Sequence, residues 1–194
     1  DWGSKLGFSP ADIAAINRDS IAFMQELRDA HETPTTPIVV SGNVGPRGDG
    51  YDPGQIMSVA EAEEYHAHQI GSFAEAGADM TTAMTLTNTN EAIGVVRAAQ
   101  RSALPVAISF TVETDGRLPT GETLESAINA VDFATAHGAI YFMINCAHPT
   151  HFESVLPRSA SWTKRLRGLR ANASMRSHQE LNDSPDIDIG DPVM

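Results

Sequence analysis

The sequence predicts an α/β fold built on a parallel sheet, and three observations carry that prediction. Short runs of apolar or β-branched residues begin near positions 37, 79, 105, 140 and 166. Segments with helical spacing and recognisable caps lie between them. The runs start 26 to 42 residues apart, and each interval has room for the crossover helix that joins parallel strands. The chain is 194 residues long with no composition break, so it reads as one domain. A full (β/α)8 barrel needs about 250 residues. Five units therefore mean an incomplete barrel or a complete doubly wound sheet. Chemistry sits at the carboxyl ends of the strands in either case.

The elements follow in order. Ser9-Pro10 is an N-cap with proline at the first helical position, and Ile13, Ile16, Met24 and Leu27 continue at helical spacing to about residue 30. Ile38-Val39-Val40 is a short strand that empties into a glycine-rich loop over 42–50. Ser58 and Glu61 have capping-box spacing, and Gly77 closes the helix they open. Asp79 to Thr85 is the next strand and Asn90 to Ser102 the next helix. Pro105 to Val112 is a strand, Glu113 to Thr123 a polar loop, and Leu124 to His137 a helix ended by Gly138. Ala139 to Asn145 is a strongly apolar strand, 149–165 is mixed short helix, Leu166 to Ala171 is the last strand, and the rest is polar and turn-rich.

Composition narrows function. Hydrophobic residues make up 41% and charged residues 20% of the chain, an ordinary globular balance. The formal charge of −12 argues against nucleic acid or an anionic membrane surface, which need a basic footprint. No apolar run approaches a bilayer span, and no secretory leader opens the chain, so a cytoplasmic protein is expected. Cys146 is the single cysteine, which fits a reducing compartment. Asp1 and Met194 read as cut ends.

Polar residues collect where the strands stop: Gly42-Asn43, Met84-Thr85, Thr111 to Glu113, Asn145-Cys146 and Asn172. Cys146 is either a buried small hydrophobe or a thiolate ligand or nucleophile at a strand mouth. With His148 and His151 it also forms a weak Cys-x-His-x-x-His metal pattern. His66 and His68 read as packing or surface residues of their helix, and His31 and His137 as helix C-terminal residues that complement the dipole. The loop at 42–50 fits no phosphate motif and reads as a shaped loop over a strand end, with Arg47 and Asp49 paired. Six basic residues between Arg158 and Arg176 read as a charge-paired face. Asp183, Asp186, Asp188 and Asp191 fail as a calcium loop, and Asn172-Ala173-Ser174 matches a glycosylation acceptor by chance. Glu113 and Asp115 read as loop-shaping carboxylates.

Several segments taken together resemble the homocysteine S-methyltransferase family. They are Ser41-Gly42-Asn43-Val44-Gly45-Pro46-Arg47-Gly48-Asp49, Tyr65-His66, Ala76-Gly77-Ala78-Asp79 and Glu91-Ala92-Ile93-Gly94. Further along are Ser109-Phe110, Asp115-Gly116-Arg117-Leu118, Ile144-Asn145-Cys146-Ala147-His148-Pro149, and Gly168 to Ser174 with Ser177-His178. Their order and spacing cover about residues 10 to 192.

The resemblance implies a (β/α)8 TIM-type barrel of which residues 1–194 are a single partial domain, about strands three to seven with their helices. It implies transfer of a methyl group from a donor to the thiol of homocysteine or a similar thiol, as in methionine biosynthesis. It also implies a zinc held by three cysteines. Cys146 matches the first of these; the other two belong to a Gly-Gly-Cys-Cys stretch that this chain does not contain. Gly42, Asn43, Thr85, Ser109, Asn145 and Asn172 are the substrate-binding residues it implies. Many members carry Glu-Thr where this chain has Met84-Thr85, so an acceptor other than homocysteine is open. An open five-strand slice leaves edges for a second copy to cover, so a homo-oligomer is one expectation. Three readings stand: a fragment of a zinc-dependent thiol methyltransferase, inactive alone; a non-catalytic barrel fragment serving as a binding or assembly module; and a different metal enzyme using Cys146, His148 and His151.

Overall fold

The structure is a computed structural model, and it describes residues 2–157 and 159–190. Two helices lead in, α1 (Trp2–Lys5) and α2 (Pro10–His31). Then β1 (Ser41–Val44), α3 (Val59–Glu75), β2 (Met80–Leu86), α4 (Thr89–Arg101), β3 (Val106–Phe110), α5 (Leu124–Thr135) and β4 (Ala139–Asn145) alternate. The short helix α6 (Pro149–Phe152) and two 3₁₀ turns, Glu153–Val155 and Trp162–Arg165, precede β5 (Leu166–Arg170) and α7 (His178–Asn182).

All four strand pairings are parallel, and the sheet order is β1-β2-β3-β4-β5. Each strand is therefore laid beside its predecessor in one direction. Right-handed crossovers then put α3, α4 and α5 on the same face, as in a barrel wall. A doubly wound sheet reverses its order partway, so that alternative is excluded. Outside the sheet, α3 packs on α4 and α4 on α5. The core lies between sheet and helices: Val44, Ile70, Ala83, Val95, Ile108, Phe110, Ile128 and Phe142 are all buried. Phe110 and Phe142 stack with their ring centroids 6.2 Å apart. The Arg165 guanidinium lies 5.3 Å from the Phe142 centroid and grips Asp132 with Nε at 2.7 Å and Nη2 at 2.8 Å. It thereby ties α5 to the sheet. The opposite face carries Ser41, whose hydroxyl meets that of Thr82 at 2.8 Å, and the half-buried Tyr141 and Met143.

Three differences from the sequence reading have physical causes. The first strand pairs from Ser41 rather than Ile38, because the Asp79 carboxylate takes the Val40 N–H at 2.7 Å and Glu32 takes that of Ile38 at 2.9 Å. Gly42 and Asn43 are therefore strand residues, not loop. On α2 the buried residues are Asn17 and Ile21, while Ile16, Met24 and Leu27 are exposed. The helix is held at its far end instead, where Gln25 donates to the carbonyls of Ala76 and Gly77 and Arg28 pairs with Asp79 at 3.2 Å. The tail also contains α7, opened by Ser177.

Of the basic cluster, Arg165 pairs with Asp132 and Arg176 with Asp188, while Arg158 lies outside the described residues, as does Asp191. Asp188 is committed to Ser174 and the Gly190 N–H.

Capping boxes open α2, α3 and α7: Ser9 with Asp12, Ser58 with Glu61, and Ser177 with Glu180. Hydrogen bonds from the cap serine hold each carboxyl below its usual range, chiefly through the Ser9 side chain for Asp12 and through the backbone N–H for Glu61 and Glu180. A lowered folded pKa adds stability above the unfolded value that is lost as pH falls through the folded one. The Tm is therefore expected to fall as pH drops below about 4.5, the region where free carboxylates protonate. That fall should be shallower in a Ser58→Ala/Ser177→Ala variant. Identical acid limbs for the two proteins would remove the caps from the account.

Candidate functional site

The carboxyl ends of β2, β3 and β4 converge on one buried side chain. Asn145, the last residue of β4, is 1% exposed. Its Oδ1 accepts from the Thr85 N–H at 2.9 Å and the Ser109 hydroxyl at 2.5 Å. Its Nδ2 donates to Thr85 Oγ1 at 2.8 Å and to Cys146 Sγ at 3.1 Å. Two accepted and two donated bonds use the full capacity of an amide.

Two of the three residues that Asn145 grips are strained. Thr85 has φ +62° and Cys146 φ +55°. A β-branched residue in left-handed backbone is an outlier that surrounding contacts must hold. Thr85 sits where the β2–β3 register shifts, between Ala83 and Leu86. Such irregularities re-aim side chains at strand ends. Cys146 is half-buried, and its N–H extends the ladder to the Arg170 carbonyl at 3.1 Å.

A second layer covers the thiol. His178 Nε2 donates to the Cys146 carbonyl at 2.6 Å, and Nδ1 lies 3.2 Å from Glu113 Oε1. The Tyr51 ring lies against His178 with centroids 4.0 Å apart, which brings its hydroxyl beside the Cys146 thiol. Burial first, then Cys146 and Asp49, pushes the Tyr51 hydroxyl up to about 12. It therefore stays protonated at neutral pH as a donor.

The glycine-rich segment delivers Tyr51. Asp49 Oδ1 accepts from the N–H groups of Tyr51 and Asp52, closing a tight turn. Gly50 lies on Thr85, where a Cβ would come within 2.8 Å of Thr85 Cγ2. Arg47 turns to the Gln55 carbonyl at 3.1 Å. The expected Arg47–Asp49 pair is therefore replaced by two backbone-directed contacts. Upstream, the Arg47 N–H reaches Glu91 Oε1 at 2.7 Å. Glu91 is buried against His66 Nε2 at 2.9 Å. His66 is thus a packing residue, as its place on the helix suggested, while His68 is exposed.

Of the residues singled out from sequence, Thr85, Ser109, Asn145 and Cys146 form one bonded cluster. Gly42 accepts from Thr81 through its carbonyl, and a Cβ there would meet Phe73 Cγ at 2.5 Å, so its bareness lets α3 approach β1. Asn43 is exposed on β1 opposite Thr82. Asn172 follows β5 with its N–H on the Ala147 carbonyl. His148 spends Nδ1 on Thr150, and His151 Nε2 meets the Met175 carbonyl at 2.8 Å. Among the described residues no three His, Cys, Asp or Glu side chains gather as a metal site, so the Cys146–His148–His151 arrangement is not formed. Tyr51 escaped sequence reasoning; an aromatic after Asp49-Gly50 beyond a strand end was the available signal.

A one-directional parallel sheet with a thiol and a saturated amide at its carboxyl end defines the class: part of a (β/α)8 barrel with its chemistry at the strand ends. The homocysteine S-methyltransferase family model matches residues 4–188, and the chain belongs to that family. It is similar to homocysteine S-methyltransferase 1 of Arabidopsis thaliana, at 26% identity over 114 residues, 58% of this chain and 34% of that protein. It thus spans about a third of that curated relative's length. The fold resembles the homocysteine methyltransferase MmuM of Escherichia coli in its metallated form. There the TM-score is 0.71 at 19% identity, over 89% of this chain and 71% of that one. The apo form of the same enzyme gives a TM-score of 0.67 at 20% identity, over 87% of this chain and 73% of that one.

Zinc, which the family implies, can be tested against this donor set. Cys146 is the only thiol in the 194 residues, and no second or third ligand joins it among those described. The residues present do not by themselves fit a three-thiolate centre.

Proposed function

We propose that this chain is the strand-three-to-seven portion of a zinc-dependent thiol S-methyltransferase, inactive alone, which moves a methyl group from a donor to homocysteine or a similar thiol. One observation carries the reading. The single thiol is held at the end of β4 in strained backbone, by a side chain whose every other bond goes to neighbouring strand ends. Cys146 would be one sulfur ligand, and the remaining ligands would come from chain beyond these residues. Zinc bound there would present the acceptor sulfur as a thiolate at neutral pH.

Thr85, Ser109 and Asn145, with Gly42, Asn43 and Asn172, are the residues we assign to substrate binding. The Tyr51 ring and the Glu113 carboxylate, joined through His178, favour a cationic methyl donor, a sulfonium or a quaternary ammonium. Met84 stands where many members carry a glutamate, so a similar thiol is kept beside homocysteine as the acceptor. Among the described residues no helix is long and apolar enough to cross a membrane. A cytoplasmic place in methionine formation is part of the proposal.

The test pairs zinc content with methyl transfer. The complete parent protein is expected to hold near-stoichiometric zinc and to methylate a thiol from a methylsulfonium donor, and Cys146→Ala is expected to abolish both. Full zinc and activity in Cys146→Ala would overturn the assignment. The outer edges of β1 and β5, which no other described strand covers, favour the second reading, an assembly module. That reading would show as metal-free homo-oligomers of this chain in sizing experiments.

A further inference from the structure

Glu91 is a buried carboxylate that the proposed chemistry does not use. It stands in the first turn of α4, 3% exposed, and three elements meet on it. From α3, His66 Nε2 lies 2.9 Å from Oε1. From the α4 N-cap, Asn88 Nδ2 lies 3.4 Å from Oε2, and Asn88 Oδ1 takes the Glu91 N–H at 2.9 Å. From the glycine-rich segment, the Arg47 N–H donates to Oε1 at 2.7 Å. A charge so buried persists only where it is paired and hydrogen-bonded, and its position is then tightly defined.

Of these contacts, only the one to Arg47 touches a segment outside the regular elements. That segment runs on through the Asp49 turn to Tyr51, whose ring packs on His178, the residue bonded to the Cys146 carbonyl. Gly48 at φ +96° and Gly54 at φ +48° flank the turn. Glycine there leaves the segment free to pivot unless something fixes it. Arg47 is fixed by Glu91 at one end and by its own guanidinium on the Gln55 carbonyl at the other.

We propose that Glu91 is a positioning residue: its buried carboxylate, held by His66, sets the Arg47 main chain and so places Tyr51 over Cys146. The proposal deepens the methyltransferase reading, since it names a residue that governs access to the proposed ligand sulfur. Its test does not depend on that reading, because it follows the thiol and not the reaction.

The measurement is the rate of Cys146 alkylation by iodoacetamide in the purified 194-residue chain, followed by mass spectrometry. Tyr51→Ala removes the ring that covers the sulfur and is expected to raise the rate roughly three- to tenfold by opening access to it. Glu91→Ala is expected to raise it as much, and the double variant no further. Glu91→Gln keeps an oxygen for the Arg47 N–H and is expected to restore the original rate. A merely structural Glu91 would lower the unfolding midpoint in both Glu91 variants and leave the native alkylation rate unchanged, which overturns the proposal. Should Glu91→Ala not fold, Arg47→Pro removes the same N–H without touching the core, with Arg47→Ala as its control. Fast alkylation in the first and slow in the second supports the proposal, and equal rates overturn it. Methyl transfer failing in the parent protein while these rates behave as expected would reject the proposed function and leave the positioning role standing.

Discussion

Asn145→Ala should lower the unfolding free energy by about 3 kcal/mol, since each buried partner left unpaired costs roughly 1–3 kcal/mol. The truncation strands the Ser109 hydroxyl, which is fully buried, and the N–H of Thr85. It also removes the two contacts that keep Thr85 in left-handed backbone. Ser109→Ala breaks only one of those bonds and leaves Asn145 Oδ1 served by Thr85, so about 1 kcal/mol is expected. Urea unfolding of the three proteins checks both values. A loss below that of Ser109→Ala would mean that Asn145 is not the hub of the strand ends.

Gly94→Ala and Gly71→Ala should move stability in opposite directions, although both replace a helical glycine with the best helix former. On α4, a Cβ at Gly94 would come within 2.6 Å of the Glu63 backbone nitrogen and 2.8 Å of the Ala62 carbonyl carbon. Both are main-chain atoms of α3 and cannot rotate away. Overpacking of this kind costs about 1–3 kcal/mol and sometimes more, against a propensity gain of about 1 kcal/mol. A net loss near 2 kcal/mol is expected. A larger side chain, as in Gly94→Val, should prevent folding. At Gly71 a Cβ would meet nothing within 4 Å, so only the propensity gain remains, about 0.5–1 kcal/mol. Thermal unfolding decides the signs. A stabilised Gly94→Ala would show that α3 and α4 are not in backbone contact.

The two glycines also show what the sequence makes legible. Both sit inside helical patterns and look alike; only the spatial neighbour separates them. Caps are different, because their signal is local. Ser9-Pro10 and Ser58 with Glu61 mark helix starts that the structure places at Pro10 and Val59. The parallel sheet was equally readable, since strand spacing alone demands crossovers. The start of β1 was not, because Asp79 is 39 residues from the Val40 N–H it captures.

The site divides along the same line. Asn145-Cys146 stands out at the end of an apolar run. Its links to Thr85 and Ser109 span 60 and 36 residues and exist only once three strands lie side by side. Tyr51 and Glu113 from two loops meet His178 at the start of α7, and no spacing announces them. Glu91 resembles any first-turn acid until burial shows that it faces inward.

The outermost described strands have a bearing on how this 194-residue chain behaves when prepared by itself. Among the described residues β1 pairs with β2 and β5 with β4, so in this chain by itself the outer side of each is a template for an extended peptide. The two borders are defended differently. β1 is four residues long and β5 five, too short to recruit a long partner. On β5, Arg167 and Arg170 are exposed beside Leu169, which is 53% exposed. Two like charges at the ends of the four-residue stretch Arg167–Arg170 would repel an identical strand seeking to stack in register. Neutralising both arginines should turn a preparation turbid at concentrations the native sequence tolerates, because on β5 charge adds to shortness as the guard against self-adhesion.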